Sequence, residues 1–135
     1  MGNGENRVLH PKGWPVPKGY SNGLVARGRM VFIAGMVGWN SKHEFESDDF
    51  VEQARQALRN ILEVLAEGGG KPEHLVRLTW FVTDRKEYLS SLPALGEVYR
   101  SLMGRHYPPM TVVEVKGLLD ERAKVEIEAT AVIPD

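Results

Sequence analysis

A chain of 135 residues, 42% apolar and 26% charged, suits one globular domain with one core and leaves little room for a second. Its formal charge of −1, from 17 basic and 18 acidic side chains, argues against a nucleic-acid partner, because that affinity rests on Lys and Arg neutralising phosphates. The absence of cysteine excludes disulfides, thiolate ligands and a cysteine nucleophile; with no apolar run of membrane-spanning length, a cytoplasmic protein with no membrane partner is expected.

The whole of 1–135 reads as one domain, with 1–19 an extended N-terminal arm. Residues 1–6 are polar and carry no secretory-type apolar segment. Pro11, Pro15 and Pro17 fix φ and withhold donors, so regular structure is not expected in the arm. Residues 24–26 and 30–34 read as two strands joined by a tight turn at Gly28. A polar loop, 39–47, leads to the first helix, with Ser47 as N-cap and Asp48 and Asp49 in the first turn, where the dipole favours negative charge. Phe50, Ala54, Ala57, Leu58, Ile61 and Leu65 recur at helical spacing, and Gly68-Gly69-Gly70 ends that helix.

Residues 75–82 have the β-branched and aromatic content of a strand, with Leu78, Trp80 and Val82 on one face and Arg77, Thr79 and Phe81 on the other. Asp84 and Glu87 resemble a capping box that opens a short helical turn. A further helix enters near Ser91 or Leu92, with Pro93 in its first turn and Leu95, Val98, Tyr99 and Leu102 facing inward. Residues 110–115 form a strand, and 123–133 form the last one. There Val125, Ile127, Ala129, Ala131 and Ile133 alternate with Lys124, Glu126, Glu128 and Thr130. A strand so long and apolar belongs in the middle of its sheet.

No metal or organic cofactor is expected. His10, His43, His74 and His106 are scattered and fit no paired-ligand spacing; His74 and His106 read as surface or capping residues. The glycine run follows a helix and lacks the Lys and Ser/Thr of a phosphate loop, and no serine has a recognisable partner base. The acidic residues of the last strand read first as a solvated sheet face. If a partner subunit covers that face, the same carboxylates become partly desolvated and are candidate proton acceptors.

Several segments taken together resemble the Rid superfamily, also labelled endoribonuclease L-PSP. They are Lys18-Gly19-Tyr20-Ser21-Asn22-Gly23, Met30-Val31-Phe32-Ile33-Ala34-Gly35, the helix from Gln53 with its Gln56 and Asn60, residues 76–84, Val98-Tyr99, and residues 124–132. The resemblance implies an α+β, chorismate-mutase-like fold: a mixed sheet with two helices on one face. It also implies a homotrimer whose sheets form a barrel, with small-molecule clefts between subunits. The other sheet face, expected to carry Glu126, Glu128, Met110 and Val112, would meet the partner.

In deaminases of this family an arginine after a Pro-Ala pair grips the substrate carboxylate. Here the run is Tyr107-Pro108-Pro109-Met110, so Met110 stands in that place, Ala34 replaces the serine before Gly35, and Gly96 replaces an asparagine. Arg105 precedes the motif and is not an equivalent. What the resemblance retains is Glu126 as the water-activating catalytic residue, with Tyr20, Ala34, Gly35, Met110 and Val112 lining the substrate cleft. An Arg–carboxylate contact is worth about 1.5–3 kcal/mol, so its loss weakens a short 2-imino acid about tenfold or more. Two readings stand side by side: a hydrolase of imine, enamine or related C–N bonds with altered substrate choice, and a non-catalytic small-molecule-binding or regulatory trimer. An endoribonuclease is the remaining alternative, disfavoured by the charge.

Overall fold

The computed structural model describes residues 6–135; the first five residues of the expected arm lie outside the described residues. The strands are β1 (Arg7–Leu9), β2 (Gly23–Val25), β3 (Arg29–Val37), β4 (Leu75–Val82), β5 (Met110–Glu114) and β6 (Val125–Ile133). The helices are α1 (Phe50–Glu67), α2 (Arg85–Ser90) and α3 (Leu92–Met103). Four strands form a mixed sheet in the order β3-β6-β4-β5, and β1 and β2 pair separately. The last strand is central as expected, antiparallel to both β3 and β4. The β4–β5 pair is parallel, and α2 and α3 supply the crossover that such a pair requires.

The alternation of β6 sorts the two faces of the sheet. Val125, Ile127, Ala129, Ala131 and Ile133 are buried beneath the helices with Leu78, Trp80 and Val82. Against them α1 lays Phe50, Ala54, Ala57, Leu58, Ile61 and Leu65, the stripe its spacing predicts. Each of its large side chains stabilises the fold by about 1.5–3 kcal/mol through burial. Leu58 is fully buried, and Leu58→Ala would cost about 2–5 kcal/mol.

One buried polar side chain ties this layer together. Gln53, 1% exposed, donates from Nε2 to the carbonyls of Ser47 and Arg122 at 3.0 and 3.1 Å. Its Oε1 accepts from the Lys124 N–H at 2.8 Å. Gln56 donates to Asn60, whose own amide donates to the carbonyls of Val37 and Trp39, so that pair anchors α1 to the end of β3.

Three local expectations are corrected. The N-cap of α1 is Asp49, which accepts from the Glu52 N–H at 3.0 Å, while Ser47 accepts one step earlier from the Asp49 N–H. No hairpin joins β2 to β3; β2 pairs instead with Arg7–Leu9, a strand inside the arm expected to be irregular. Gly28 does adopt a positive φ, 148°, for a different reason: a Cβ there would lie 2.1 Å from the Ile133 carbonyl oxygen. The chain squeezes past the end of β6 at that point and β3 then pairs with β6, leaving β2 free for β1. In α3 the buried face is Leu95, Val98, Tyr99 and Met103, with Leu102 only partly buried.

The sheet face away from the helices carries Glu126, Glu128 and Thr130, flanked in register by Phe81, Thr79 and Phe32. Phe32 is 73% exposed and Met30 59%. No helix is long and apolar enough to cross a membrane.

Candidate functional site

The expected site residues fall into two groups on opposite faces of the sheet. Met110 pairs with Leu78 and Val112 with Trp80. Residues paired across a ladder point to the same side. Leu78 and Trp80 are buried under the helices, so Met110 and Val112 face the helices and pack against the core. This overturns the expectation that they share the outer face with Glu126.

Tyr20 is brought beside Met110 by the chain leading into β2. The Ser21 N–H donates to the Pro108 carbonyl at 3.3 Å, its hydroxyl donates to the Tyr107 carbonyl, and Ser21 bridges Pro109 in parallel register. Tyr107 is fixed in turn by stacking on Tyr99, ring centres 5.4 Å apart and 17° from parallel. The Tyr99 hydroxyl donates to the His106 carbonyl at 2.6 Å, and His106 Nε2 lies 2.7 Å from the Leu75 carbonyl, which can only accept, so that nitrogen carries the proton. His74 has the capping role expected of it, its Nδ1 accepting from the Lys71 N–H, whereas His106 pins the start of β4 instead of capping α3.

These contacts enclose a cleft of about 570 Å³ between α3, β5 and the segment at Tyr20, within the size range of small-molecule sites. Trp80, Tyr88, Leu95 and Tyr99 form much of its wall, with Tyr20, Met110 and Val112 at its side. Burial pushes the Tyr88 phenol above its ordinary value, and burial followed by the neighbouring Tyr107 pushes Tyr99 further still. Both stay neutral at any physiological pH, and Tyr99 has already committed its proton to His106. Nothing in the wall is a good general base.

The second group lies on the outer face. Between Ile33 and Met36 the register of β3 slips by one residue against β6, so Ala34 and Gly35 together oppose Glu128. Such a bulge re-aims side chains and is common beside functional sites. A Cβ placed on Gly35 would fall 2.1 Å from Glu126 Oε2, so the carboxylate rests over the glycine because the glycine leaves it room. Glu126 joins none of the ion pairs among the described residues. Glycine and glutamate are thus a matched pair, and the structure brings Ala34, Gly35 and Glu126 together as expected. It does not bring them to Tyr20, Met110 and Val112 within one chain.

Sequence reasoning missed two cationic side chains of the cleft, Lys18 and Arg100. Arg100 was legible in principle, because it lies four residues after Gly96 on one helix and so stands directly over it. Among the described residues no group of three His, Asp or Glu could hold a metal ion.

The family described as Endoribonuclease L-PSP matches residues 15–133. A RutC family protein of Aquifex aeolicus is 33% identical over 119 residues, 87% of this chain and 92% of that one. A 2-iminobutanoate/2-iminopropanoate deaminase of Salmonella typhimurium is 31% identical over 105 residues, 78% of this chain and 80% of that one. Among solved structures, the Rid-family protein YyfB of Yersinia pestis superposes with a TM-score of 0.84 at 31% identity, covering 96% of this chain and 99% of that one.

Proposed function

The chain belongs to the Endoribonuclease L-PSP family, the Rid proteins, and we propose that within it the molecule hydrolyses imine or enamine C–N bonds of substrates other than 2-iminopropanoate. The observation that carries this reading is the Glu126 carboxylate, seated over Gly35 and held in no ion pair among the described residues. A carboxylate so placed can hold a water molecule and take its proton. The water oxygen bonds to the imine carbon and its proton passes by way of Glu126 to nitrogen, giving a carbinolamine; the hydroxyl proton then moves to nitrogen, and the C–N bond breaks to leave a carbonyl compound and ammonia. Relatives named as 2-iminobutanoate/2-iminopropanoate deaminases, at 28–31% identity, support the reaction class.

The two half-sites need a neighbour. Glu126, Ala34 and Gly35 sit on a face whose exposed Phe32 and Met30 favour burial against a second copy. A homotrimer would set that face of one subunit against the Tyr20, Met110 and Val112 cleft of the next. A substrate would then meet water held by one chain while its body rests in the other. Met110, flexible and apolar, suits a larger side chain than that of 2-iminopropanoate. It also favours the second reading, a trimer that binds a small molecule without turning it over.

The test uses a panel of 2-imino acids made in situ by an amino-acid oxidase, with release of the 2-oxo acid followed above background hydrolysis. Wild-type protein is expected to accelerate release, Glu126→Gln to abolish the acceleration, and both to sediment at three times the 15.1 kDa chain mass. Acceleration of no imine, or equal acceleration by the Gln variant, removes the hydrolase reading. A stable monomer removes the shared cleft.

A further inference from the structure

Arg100 is the one arginine that lines the aromatic cleft. It projects from α3 one turn beyond Gly96, and a Cβ at position 96 would stand only 3.1 Å from its Nη1. The guanidinium is therefore folded back along the helix onto the space that the missing side chain of Gly96 leaves. It takes part in none of the ion pairs among the described residues, and the residues lining the cleft include Lys18 but no Asp or Glu. An exposed guanidinium with no acid partner among the described residues, at the edge of a wall built from Trp80, Tyr88 and Tyr99, pairs an anion-binding group with a surface for a flat apolar body. Within that wall the Trp80 indole N–H is a buried donor with no partner.

We propose that Arg100 is the carboxylate-binding residue of this cleft, and that the ligand is a carboxylate with an aromatic or similarly bulky apolar body. The inference rests on the reading of the cleft as a small-molecule site and specifies what that site takes. Gly96 leaves room for it: a Cβ there would press the guanidinium aside by a few tenths of an ångström. Met110 then serves as apolar wall, and the anion is held from the helix instead of from the strand. An anchor moved from strand to helix changes how far the carboxylate lies from the reacting carbon, and so selects a differently shaped substrate.

The test uses a matched pair of probes, phenylacetate and phenylacetamide, alike in shape and different in charge. Binding is followed by NMR through the indole N–H of Trp80, assigned with Trp80→Phe. Phenylacetate is expected to shift that signal and to bind Arg100→Gln about tenfold more weakly or worse, with the amide changed by less than about twofold. Arg100→Lys keeps the charge without the fork and should fall between the two. If Arg100→Gln is not folded, as its amide spectrum would show, the lysine variant decides: affinity equal to wild type then overturns the proposal. If both probes bind and Arg100→Gln holds phenylacetate as wild type does, the anchor is elsewhere and the cleft reading survives alone. If neither probe shifts Trp80 in the wild type, the cleft reading falls and the proposal with it.

Discussion

Replacing Gly35 by alanine tests whether Glu126 works from the position in which it is seen. The new Cβ would lie 2.1 Å from Oε2, 2.9 Å from Cδ and 3.0 Å from Cγ of Glu126, more than 1 Å short of ordinary contact at the oxygen. Gly35 has no positive φ, so the backbone itself accepts alanine. The strain falls on the flexible end of Glu126, which must swing aside at a cost of about 0.5–1.5 kcal/mol if it leaves its rotamer well. Stability should therefore change little. A catalytic carboxylate displaced by about 1 Å loses about 100-fold in rate, so imine turnover by Gly35→Ala should drop by roughly that factor. The assay is 2-oxo acid release from in situ imino acids, with the melting temperature recorded in parallel. Full turnover by Gly35→Ala would refute the coupling between glycine and carboxylate.

Three further perturbations follow from the same structure. Met110→Arg places a second guanidinium in the cleft and should raise hydrolysis of 2-iminopropanoate about tenfold, measured as pyruvate release; no rise would mean that the strand position is no longer reachable by a short substrate. Gln53→Leu removes hydrogen bonds of 2.8, 3.0 and 3.1 Å and leaves their partners unpaired, so urea denaturation at fixed protein concentration should show a loss of stability. At about 1 kcal/mol net for each bond the loss is about 3 kcal/mol, and under about 1 kcal/mol would show that the site rehydrates freely. The raised Tyr99 pKa means that the phenol ionises more readily in the unfolded chain than in the folded one. Its stabilising share is whole below pH 10.0, the ordinary tyrosine value, and declines as pH rises above it. Denaturation from pH 8 to 11 should show that decline, and Tyr99→Phe should flatten it.

Much of this was written in local pattern. The stripe of α1, the central place of β6 and the Pro93 entry to α3 follow from period and capping chemistry, which depend only on near neighbours. The pairing of β2 with β1 did not follow, because three-residue strands carry too little alternation to choose a partner, and the crowding of Gly28 by Ile133 is a contact between distant residues. The orientation of β5 was lost for a related reason. Met110, Thr111, Val112 and Val113 offer no polar–apolar contrast strong enough to say which face is inward; the parallel register with Leu78 and Trp80 decides it. The Glu126–Gly35 contact was half legible, as two residues of one resemblance, but the bulge that brings them together belongs to the pairing of two strands.

The division of the site between two faces of one sheet has a genetic consequence. In the proposed trimer, Glu126→Gln would damage only what a subunit offers to its neighbour, and Arg100→Gln only what it receives with. The Glu126→Gln homotrimer would be inactive and the Arg100→Gln homotrimer weak at low substrate concentration, yet denaturing the two variants together and refolding them should raise activity there. With random mixing, about a quarter of all clefts combine an intact carboxylate from one parent with an intact anchor from the other. Two defective alleles in one cell would behave likewise, each covering the other's defect.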